Sequence, residues 1–118
     1  MIPGYLDLTV QQYDTYANTI TWDAGGTPVD LTGATASMQC RLKYSGAQVF
    51  ALSSTTLTPN GSGITLGGTA GTITINITNT DAVSIPLSEY SLVITFPDGS
   101  TSTVIWGWLF MPPGITQP

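Results

Sequence analysis

The sequence predicts an all-β fold, an Ig-like antiparallel β-sandwich of seven or eight strands. Helix-forming patterns are nearly absent, and short runs rich in Thr, Val, Ile and Tyr alternate apolar with polar residues. Gly, Pro and Asn separate these runs, as is typical of turns. A small closed barrel is the alternative arrangement. The 118 residues are expected to form one domain, with a short N-terminal segment and a loose, Pro-rich tail over residues 112–118.

The first half of the chain is predicted to contain four strands, over residues 5–10, 13–22, 34–44 and 48–52. The third strand shows the clearest alternation, because Ala36, Met38 and Cys40 share one parity and polar residues occupy the other. A Gly-Gly-Thr-Pro run predicts a turn before this strand. Ser45 and Gly46 are expected to form the hairpin turn that follows it.

The second half is predicted to contain four further strands, over residues 64–66, 72–78, 89–96 and 102–111. Ile73, Ile75 and Ile77 alternate with polar residues and are therefore expected to face the core. The Gly-rich run before them predicts a hairpin turn, because a phosphate-binding loop would precede a helix and not a strand. Residues 79–86 leave room for one helical turn. A Pro-Asp-Gly run predicts the turn between the last two strands.

Composition limits the classes of partner. Charged residues make up only 8% of the chain, against about 25% in typical soluble domains. The cations are Arg41 and Lys43, and the formal net charge is −5. Binding to nucleic acid or to an anionic membrane surface needs several cations, so neither is an expected partner. No apolar stretch is long enough to span a membrane, and the N-terminus lacks a secretory signal, so a soluble chain made in the cytoplasm is expected.

The residues that usually carry catalysis are scarce. The chain contains no histidine, so Ser-His-Asp and Cys-His catalytic groups are impossible. Asp30, Asp81 and Asp98 lie beside turn or cap residues, where aspartate typically bonds the nearby backbone. The single cysteine, Cys40, is expected to be a small buried residue. We therefore predict a protein that is not an enzyme and has no metal site and no cofactor.

The last predicted strand is apolar on both parities, whereas a strand that covers one core should alternate. One face carries Val104, Trp106, Trp108 and Phe110, and the opposite face carries Ile105, Leu109 and Met111 with Gly107. The aromatic face allows three interpretations: part of the core, a platform for sugar rings, or a protein interface. An interface is the preferred hypothesis, because large aromatic side chains left in water favour aggregation. Tyr5, Tyr13 and Tyr16 are secondary interface candidates.

Six runs mark turns and short strands in a characteristic order. They are Leu6-Asp7-Leu8-Thr9-Val10, Ile20-Thr21-Trp22, Pro28-Val29-Asp30-Leu31-Thr32-Gly33-Ala34-Thr35-Ala36, Met38-Gln39-Cys40-Arg41, the run over residues 63–75, and residues 90–95 followed by Pro97-Asp98-Gly99. This order resembles that of small Ig-like β-sandwich proteins of tailed bacteriophages, similar to the N-terminal domain of phage baseplate upper proteins. The resemblance implies a virion component without catalytic residues. In such proteins the final strand alternates apolar with polar, so the aromatic residues of this chain favour the interface hypothesis further.

The resemblance and the aromatic face together predict a non-enzymatic structural component of a bacteriophage virion, present in many copies. The tail, the baseplate or the fibre-attachment region is the expected position. Capsid decoration or a head-to-tail accessory role is the alternative. The expected partners are other virion proteins and copies of the same chain. A host-surface carbohydrate-binding module, with Trp106 and Trp108 as its platform, is the alternative of another class.

Overall fold

The computed structural model describes residues 4–42, 46–83 and 85–112, and the regular secondary structure in this part of the chain is almost entirely β-strand. Its strand segments are β1 (Gly4–Tyr5), β2 (Leu8–Thr9), β3 (Tyr16–Thr21), β4 (Asp23–Ala24), β5 (Thr27–Pro28), β6 (Thr35–Arg41), β7 (Gln48–Ser53), β8 (Gly63–Leu66), β9 (Thr72–Ile77), β10 (Ser88–Thr95) and β11 (Thr101–Phe110). One 3-10 helix, Gly68–Ala70, lies between β8 and β9. The prediction of an all-β fold is confirmed.

The strands form two main sheets and one small hairpin. The larger sheet has the order β1-β11-β10-β6-β7, and β2 pairs with β11 as its sixth strand. The smaller sheet has the order β3-β9-β8, and β4 pairs with β5 in a separate hairpin. All pairs among the longer strands are antiparallel, as the sequence predicts.

The N-terminal segment corrects the prediction of one antiparallel strand over residues 5–10. It consists of two short segments, β1 and β2, and both run parallel to β11. Leu6 and Asp7 interrupt the strand between them. A parallel neighbour is not joined to its partner by a tight turn, so local sequence patterns do not indicate this pairing.

The buried side chains of both main sheets belong to one hydrophobic cluster. The larger sheet contributes Ala36, Met38, Cys40, Leu92, Ile94 and Leu109, and the smaller sheet contributes Ile64, Ile73, Ile75 and Ile77. Every second residue is buried along β6 and along β9, which confirms the inward-facing residues predicted for these two strands. Two sheets that share one core are consistent with a β-sandwich.

Two of the three turn aspartates act as the sequence predicts. The Asp30 carboxylate accepts the Thr32 N–H at 2.9 Å, and the Asp98 carboxylate accepts the Ser100 N–H at 2.8 Å. The hydroxyl of the same threonine or serine also donates to the carboxylate. These hydroxyl and N–H donors lower the pKa of both aspartates. Gly99, at φ 90°, completes the predicted Pro-Asp-Gly turn.

The other local predictions have mixed outcomes. The Gly-rich run joins β8 to its antiparallel partner β9, so the predicted hairpin turn is confirmed. Residues 79–83 form turns, and the Thr78 carbonyl accepts the Asp81 N–H at 3.0 Å and the Ala82 N–H at 2.9 Å, so this segment contains the predicted single helical turn and does not extend it into a helix. Lys43, Ser45 and residues 113–118 lie outside the described residues, together with the predictions made for them.

Asp81, in the loop after β9, hydrogen-bonds to the loop that precedes β8. Its carboxylate accepts hydrogen bonds from Thr58 Oγ1 at 2.6 Å, from Asn60 Nδ2 at 2.9 Å and from the Ser62 hydroxyl. Partial burial raises the pKa of Asp81, but the three hydrogen bonds outweigh it and hold the pKa below its ordinary value. Folding is therefore more favourable when this carboxylate is ionised.

Replacing Asp81 by asparagine is expected to lower the free energy of unfolding by about 1–2 kcal/mol at neutral pH, because an amide offers one acceptor where the carboxylate offers two. The stabilisation by Asp81 is complete above the carboxyl's ordinary pKa of 3.8 and is lost as the pH falls through the lower value of the folded state. Urea unfolding at neutral and at strongly acidic pH measures the effect, and the gap between wild type and variant should shrink in acid. Asp23→Asn, at an exposed position in β4, is the control. A gap that is independent of pH would contradict this role.

Candidate functional site

The aromatic residues of β11 lie on the face of the larger sheet that points away from the core. Along this strand Ile105, Gly107 and Leu109 are buried, and the residues between them alternate outward. Trp106 is 46% exposed and Phe110 is 49% exposed, whereas Trp108 is half-buried. We call the side of the larger sheet that carries these three residues the outer face. The interpretation of the aromatic face as part of the core is therefore wrong.

Val104 does not belong to the outer face, and its assignment to the interface is wrong. Leu92 pairs with Ile105, but the next residue of β10, Val93, pairs with Thr103. Val104 is thus an extra residue opposite that step, a β-bulge, and it is only 1% exposed. The bulge places two consecutive apolar residues of β11 in the core.

Tyr5 joins the outer face because β1 pairs with β11. Tyr5 and Trp106 are register partners, and their ring centroids lie 4.8 Å apart with the ring planes at 81°. This edge-to-face geometry is one of the two arrangements that aromatic pairs favour. A hydrogen bond to the Asp7 carboxylate raises the pKa of the Tyr5 phenol, which therefore stays neutral. We call Tyr5 and Trp106 the aromatic corner.

The break between β1 and β2 fixes the aromatic corner in place. The Leu6 N–H donates to the Trp106 carbonyl at 2.9 Å, and the Trp108 N–H donates to the Asp7 carboxylate at 3.0 Å. The Tyr90 hydroxyl donates to the Leu6 carbonyl. Side-chain and backbone groups of residues 6 and 7 therefore continue the bonding to β11 where regular pairing stops. The close approach is possible because the facing residue of β11 is Gly107.

A groove of about 370 Å³ opens beside the aromatic corner. It is lined by Tyr5, Trp106 and Trp108 with the polar side chains of Gln39, Arg41, Glu89 and Ser91, and by Tyr90 and Gly107. Strand register explains the polar lining, since Trp106, Ser91 and Gln39 form one row across three strands, and Trp108, Glu89 and Arg41 form the next. The groove therefore combines aromatic rings with hydrogen-bonding groups.

The Arg41 side chain is held in a fixed position in this groove. Its Nη2 and Nε groups donate to Gln39 Oε1 at 2.7 and 3.2 Å, and its Nη1 donates to the Gly46 carbonyl at 2.9 Å. Glu89 is its register partner on β10. One cation and one anion therefore lie side by side at the polar wall of the groove.

We call Trp106, Trp108 and Phe110 the aromatic stripe, and its Phe110 end lies near a second apolar side chain. Phe110 is the last residue of β11, and Leu87 directly precedes Ser88, whose register partner is Leu109. Leu87, at the bend before β10, and Phe110 are the chain neighbours of this pair and therefore lie near each other, and Leu87 is 56% exposed. We call these two residues the apolar end. It lies four residues from Trp106, or about 13 Å along an extended strand.

The two remaining candidates of the interface hypothesis lie elsewhere. Tyr16 is on β3 in the smaller sheet, where it is half-buried against the core cluster. Tyr13 lies in the turn before β3 at φ 69°, and its N–H donates to the Ala82 carbonyl. The structure therefore brings Tyr5 to the aromatic residues of β11 and places neither of the other two tyrosines beside them.

The sequence did not predict several residues of the groove and of the apolar end. Alternation placed Gln39 and Arg41 on the outward parity of their strand, but nothing in the sequence indicated that β10 and then β6 lie next to β11. Glu89 and Ser91 gave no signal of their own. Leu87 precedes a strand and resembles an ordinary loop residue in the sequence.

The chemistry of the described residues is limited. Burial raises the pKa of the Cys40 thiol to about 12, so this thiol is a poor nucleophile. Across the described ranges, no group of three or more His, Cys, Asp or Glu side chains could hold a metal ion. Within the same ranges, no helix has the length and apolar character to cross a membrane.

No protein-family model and no curated protein sequence matches this chain. A proposal of function therefore depends on the outer face and on the sequence resemblance. The outer face offers two chemically different surfaces on one strand, the polar-walled groove beside the aromatic corner and the apolar end.

Proposed function

We propose that this chain is a non-enzymatic structural component of a bacteriophage virion, an Ig-like β-sandwich present in many copies. It is made in the host cytoplasm and assembles with copies of itself and with other virion proteins. The tail, baseplate or fibre-attachment region is its first expected position, and the capsid surface or the head-to-tail junction is the second. The turn runs that resemble small phage β-sandwich proteins support this proposal, as does a core shared by two sheets.

The exposed apolar end is the observation that carries the assembly part of the proposal. A Phe side chain buries roughly 150–250 Å² when it is fully covered, so half exposure leaves on the order of 100 Å² of Phe110 in water. Leu87 adds a similar exposed surface beside it. A stable interface needs roughly 800 Å² from each partner. The apolar end is therefore suited to be the centre of an interface, with polar neighbours as its rim.

A second copy of this chain is the occupant that the chemistry favours. With seven acidic and two basic residues, the protein has no extended cationic surface that could pair with an acidic one on a neighbour. Contact between copies must therefore use uncharged surface. A two-fold contact brings the same patch together from both sides, so one apolar end would cover the other.

Replacing both Leu87 and Phe110 by serine is expected to convert an oligomer into a monomer without unfolding the chain. Both side chains are about half exposed, so their truncation removes contact surface but leaves the core intact. Sedimentation of the purified protein measures the change, and thermal unfolding checks that the variant is folded. Leu57→Ser, at a 64% exposed leucine in another loop, is the matched control. A monomeric wild type, or a variant that assembles unchanged, would refute self-assembly through the apolar end.

The virion part of the proposal has its own test. Quantitative mass spectrometry of purified phage particles should detect this chain as a particle component. A copy number that matches the capsid lattice would favour decoration of the head. A small copy number that matches the rotational symmetry of the tail would favour a tail or baseplate position. Absence of the chain from particles would contradict a structural role in the virion.

A further inference from the structure

We propose that the groove beside the aromatic corner binds a neutral pyranose sugar. The rings of Tyr5 and Trp106 would stack on the sugar, and Gln39, Arg41 and Glu89 would bind its hydroxyl groups. This inference goes beyond the proposed virion role and does not depend on it, because it uses the opposite end of the stripe.

The aromatic corner has the shape that a sugar ring requires. Two rings at 81° form a floor and a wall, and roughly half of each side chain is open to solvent. Aromatic faces carry partial negative charge and attract polarised hydrogens. A pyranose ring presents such C–H groups on its faces and hydroxyl groups around its rim. Its face can therefore lie on one ring of the corner while its edge contacts the other.

The polar side chains of the groove offer hydrogen-bond donors and acceptors for the hydroxyl groups around the sugar ring. The guanidinium of Arg41 carries five N–H donors, and its bonds to Gln39 and Gly46 engage three of them. The carboxylate of Glu89 offers acceptors for sugar hydroxyls in the adjacent position of the same row. Neighbouring hydroxyls on a sugar are both donors and acceptors, so a donor group beside an acceptor group suits them. Because Arg41 is already held by its protein partners, it loses little freedom when a ligand binds.

The charge and the size of the groove limit the class of sugar that it could bind. The one cation of the groove, Arg41, is accompanied by two anions, Glu89 in the groove and Asp7 bonded to the Tyr5 phenol, and the whole chain carries a formal charge of −5. An anionic sugar would be repelled by the protein as a whole, whereas a neutral sugar has no such penalty. The groove, at about 370 Å³, is near the lower limit for small-molecule sites and suits a mono- or disaccharide.

A sugar at the aromatic corner leaves the apolar end accessible. Trp106 and Phe110 are four residues apart on an extended strand, or about 13 Å. Trp108, which lies between them, is half-buried. The two surfaces can therefore be occupied at the same time, and variants at one end should leave binding at the other end intact.

The experiment is a titration of the ¹⁵N-labelled protein with defined neutral sugars, followed by NMR. The probes are methyl glycosides of glucose, galactose, mannose and N-acetylglucosamine, together with lactose, maltose and chitobiose, and sialyllactose as the anionic comparison. At least one neutral sugar is expected to shift the indole N–H signals of Trp106 and Trp108 at millimolar concentration. The buried indole of Trp22 serves as an internal reference that should not move.

Single-residue variants test whether the sugar binds in this groove. Trp106→Ala is expected to weaken binding of that sugar by about tenfold or more, because it removes the stacking surface. Glu89→Ala, at an exposed position, should also weaken binding with no change in melting temperature. Phe110→Ala on the same strand face is the matched control and should bind as wild type does.

Three results would overturn the proposal. They are the absence of any shift with all neutral sugars, stronger binding of sialyllactose than of every neutral sugar, or undiminished binding by both Trp106→Ala and Glu89→Ala. The test of sugar binding can be distinguished from the test of self-association. Leu87→Ser with Phe110→Ser should abolish association but keep sugar binding, and Trp106→Ala should weaken sugar binding but keep association.

Discussion

Replacing Ile75 by alanine is expected to lower the free energy of unfolding by about 3–4 kcal/mol. Ile75 is fully buried in β9, the middle strand of the smaller sheet, and its register partners are Asn18 on β3 and Ile64 on β8. Removing three carbon atoms there leaves a cavity in the core that both sheets share. A domain of this size is stable by only about 5–15 kcal/mol, so the variant should unfold at a much lower urea concentration.

The neighbouring residue provides the control for this prediction. Thr74 lies on the opposite face of the same strand, and its hydroxyl exchanges a 3.0 Å hydrogen bond with that of Thr19. Thr74→Ala is therefore expected to cost less than about 1 kcal/mol, the usual net value of an exposed hydrogen bond. Urea unfolding monitored by tryptophan fluorescence measures both variants. Similar losses for the two substitutions would contradict a core that lies on one side of β9.

The strands that were easiest to predict are those with one buried face. Burial of a single face imposes a period of two on the sequence, and β6 and β9 show it over their whole length. Their apolar positions could therefore be read directly from the chain. The order of the strands could not, because pairing between distant segments leaves no local pattern. The parallel β1 and β2 are the clearest example.

Strand alternation also predicted part of the candidate site. The parity of Trp106, Trp108 and Phe110 followed from alternation, and the structure places all three on the outer face. Val104 was misplaced because the bulge after Thr103 shifts the alternation by one residue. Residues 101–106 contain no glycine or proline that would signal a bulge at Val104. Its position depends on the register with β10, a non-local property.

The chemical character of each end of the aromatic stripe depends on the side chains next to it. In the sequence it is one uniform row, and nothing in the pattern separates its two ends. In the structure, Gln39 and Glu89 line the groove at one end of the row, and Leu87 precedes the strand that pairs with the other end. The same kind of side chain thus belongs to a polar-walled groove in one place and to an apolar patch in the other. Strand order is what separates these two environments.

Replacing Gly107 by alanine is expected to destabilise the protein by about 2–3 kcal/mol, although it adds only one methyl group. A Cβ atom at this position would overlap the Leu6 carbonyl oxygen and lie 2.9 Å from its carbon. Both are backbone atoms, so no side-chain rotation relieves the clash. The segment that joins β1 to β2 must move, and the bonds from Leu6 to Trp106 and from Tyr90 to Leu6 weaken with it. Thermal unfolding should show a decrease of about 10 °C in melting temperature.

Gly4→Ala is the matched control, because a Cβ on Gly4 would lie 3.9 Å from the nearest atom of Ile105, an ordinary contact. This substitution in β1 is expected to be neutral or slightly stabilising, since alanine reduces the freedom of the unfolded chain. The Gly107 variant should also lose the edge-to-face contact between Tyr5 and Trp106, visible as a shift of the Trp106 indole signal. A Gly107→Ala protein with unchanged stability and an unchanged indole signal would show that β1 is not held against β11 at Leu6, and the aromatic corner would then lack its support.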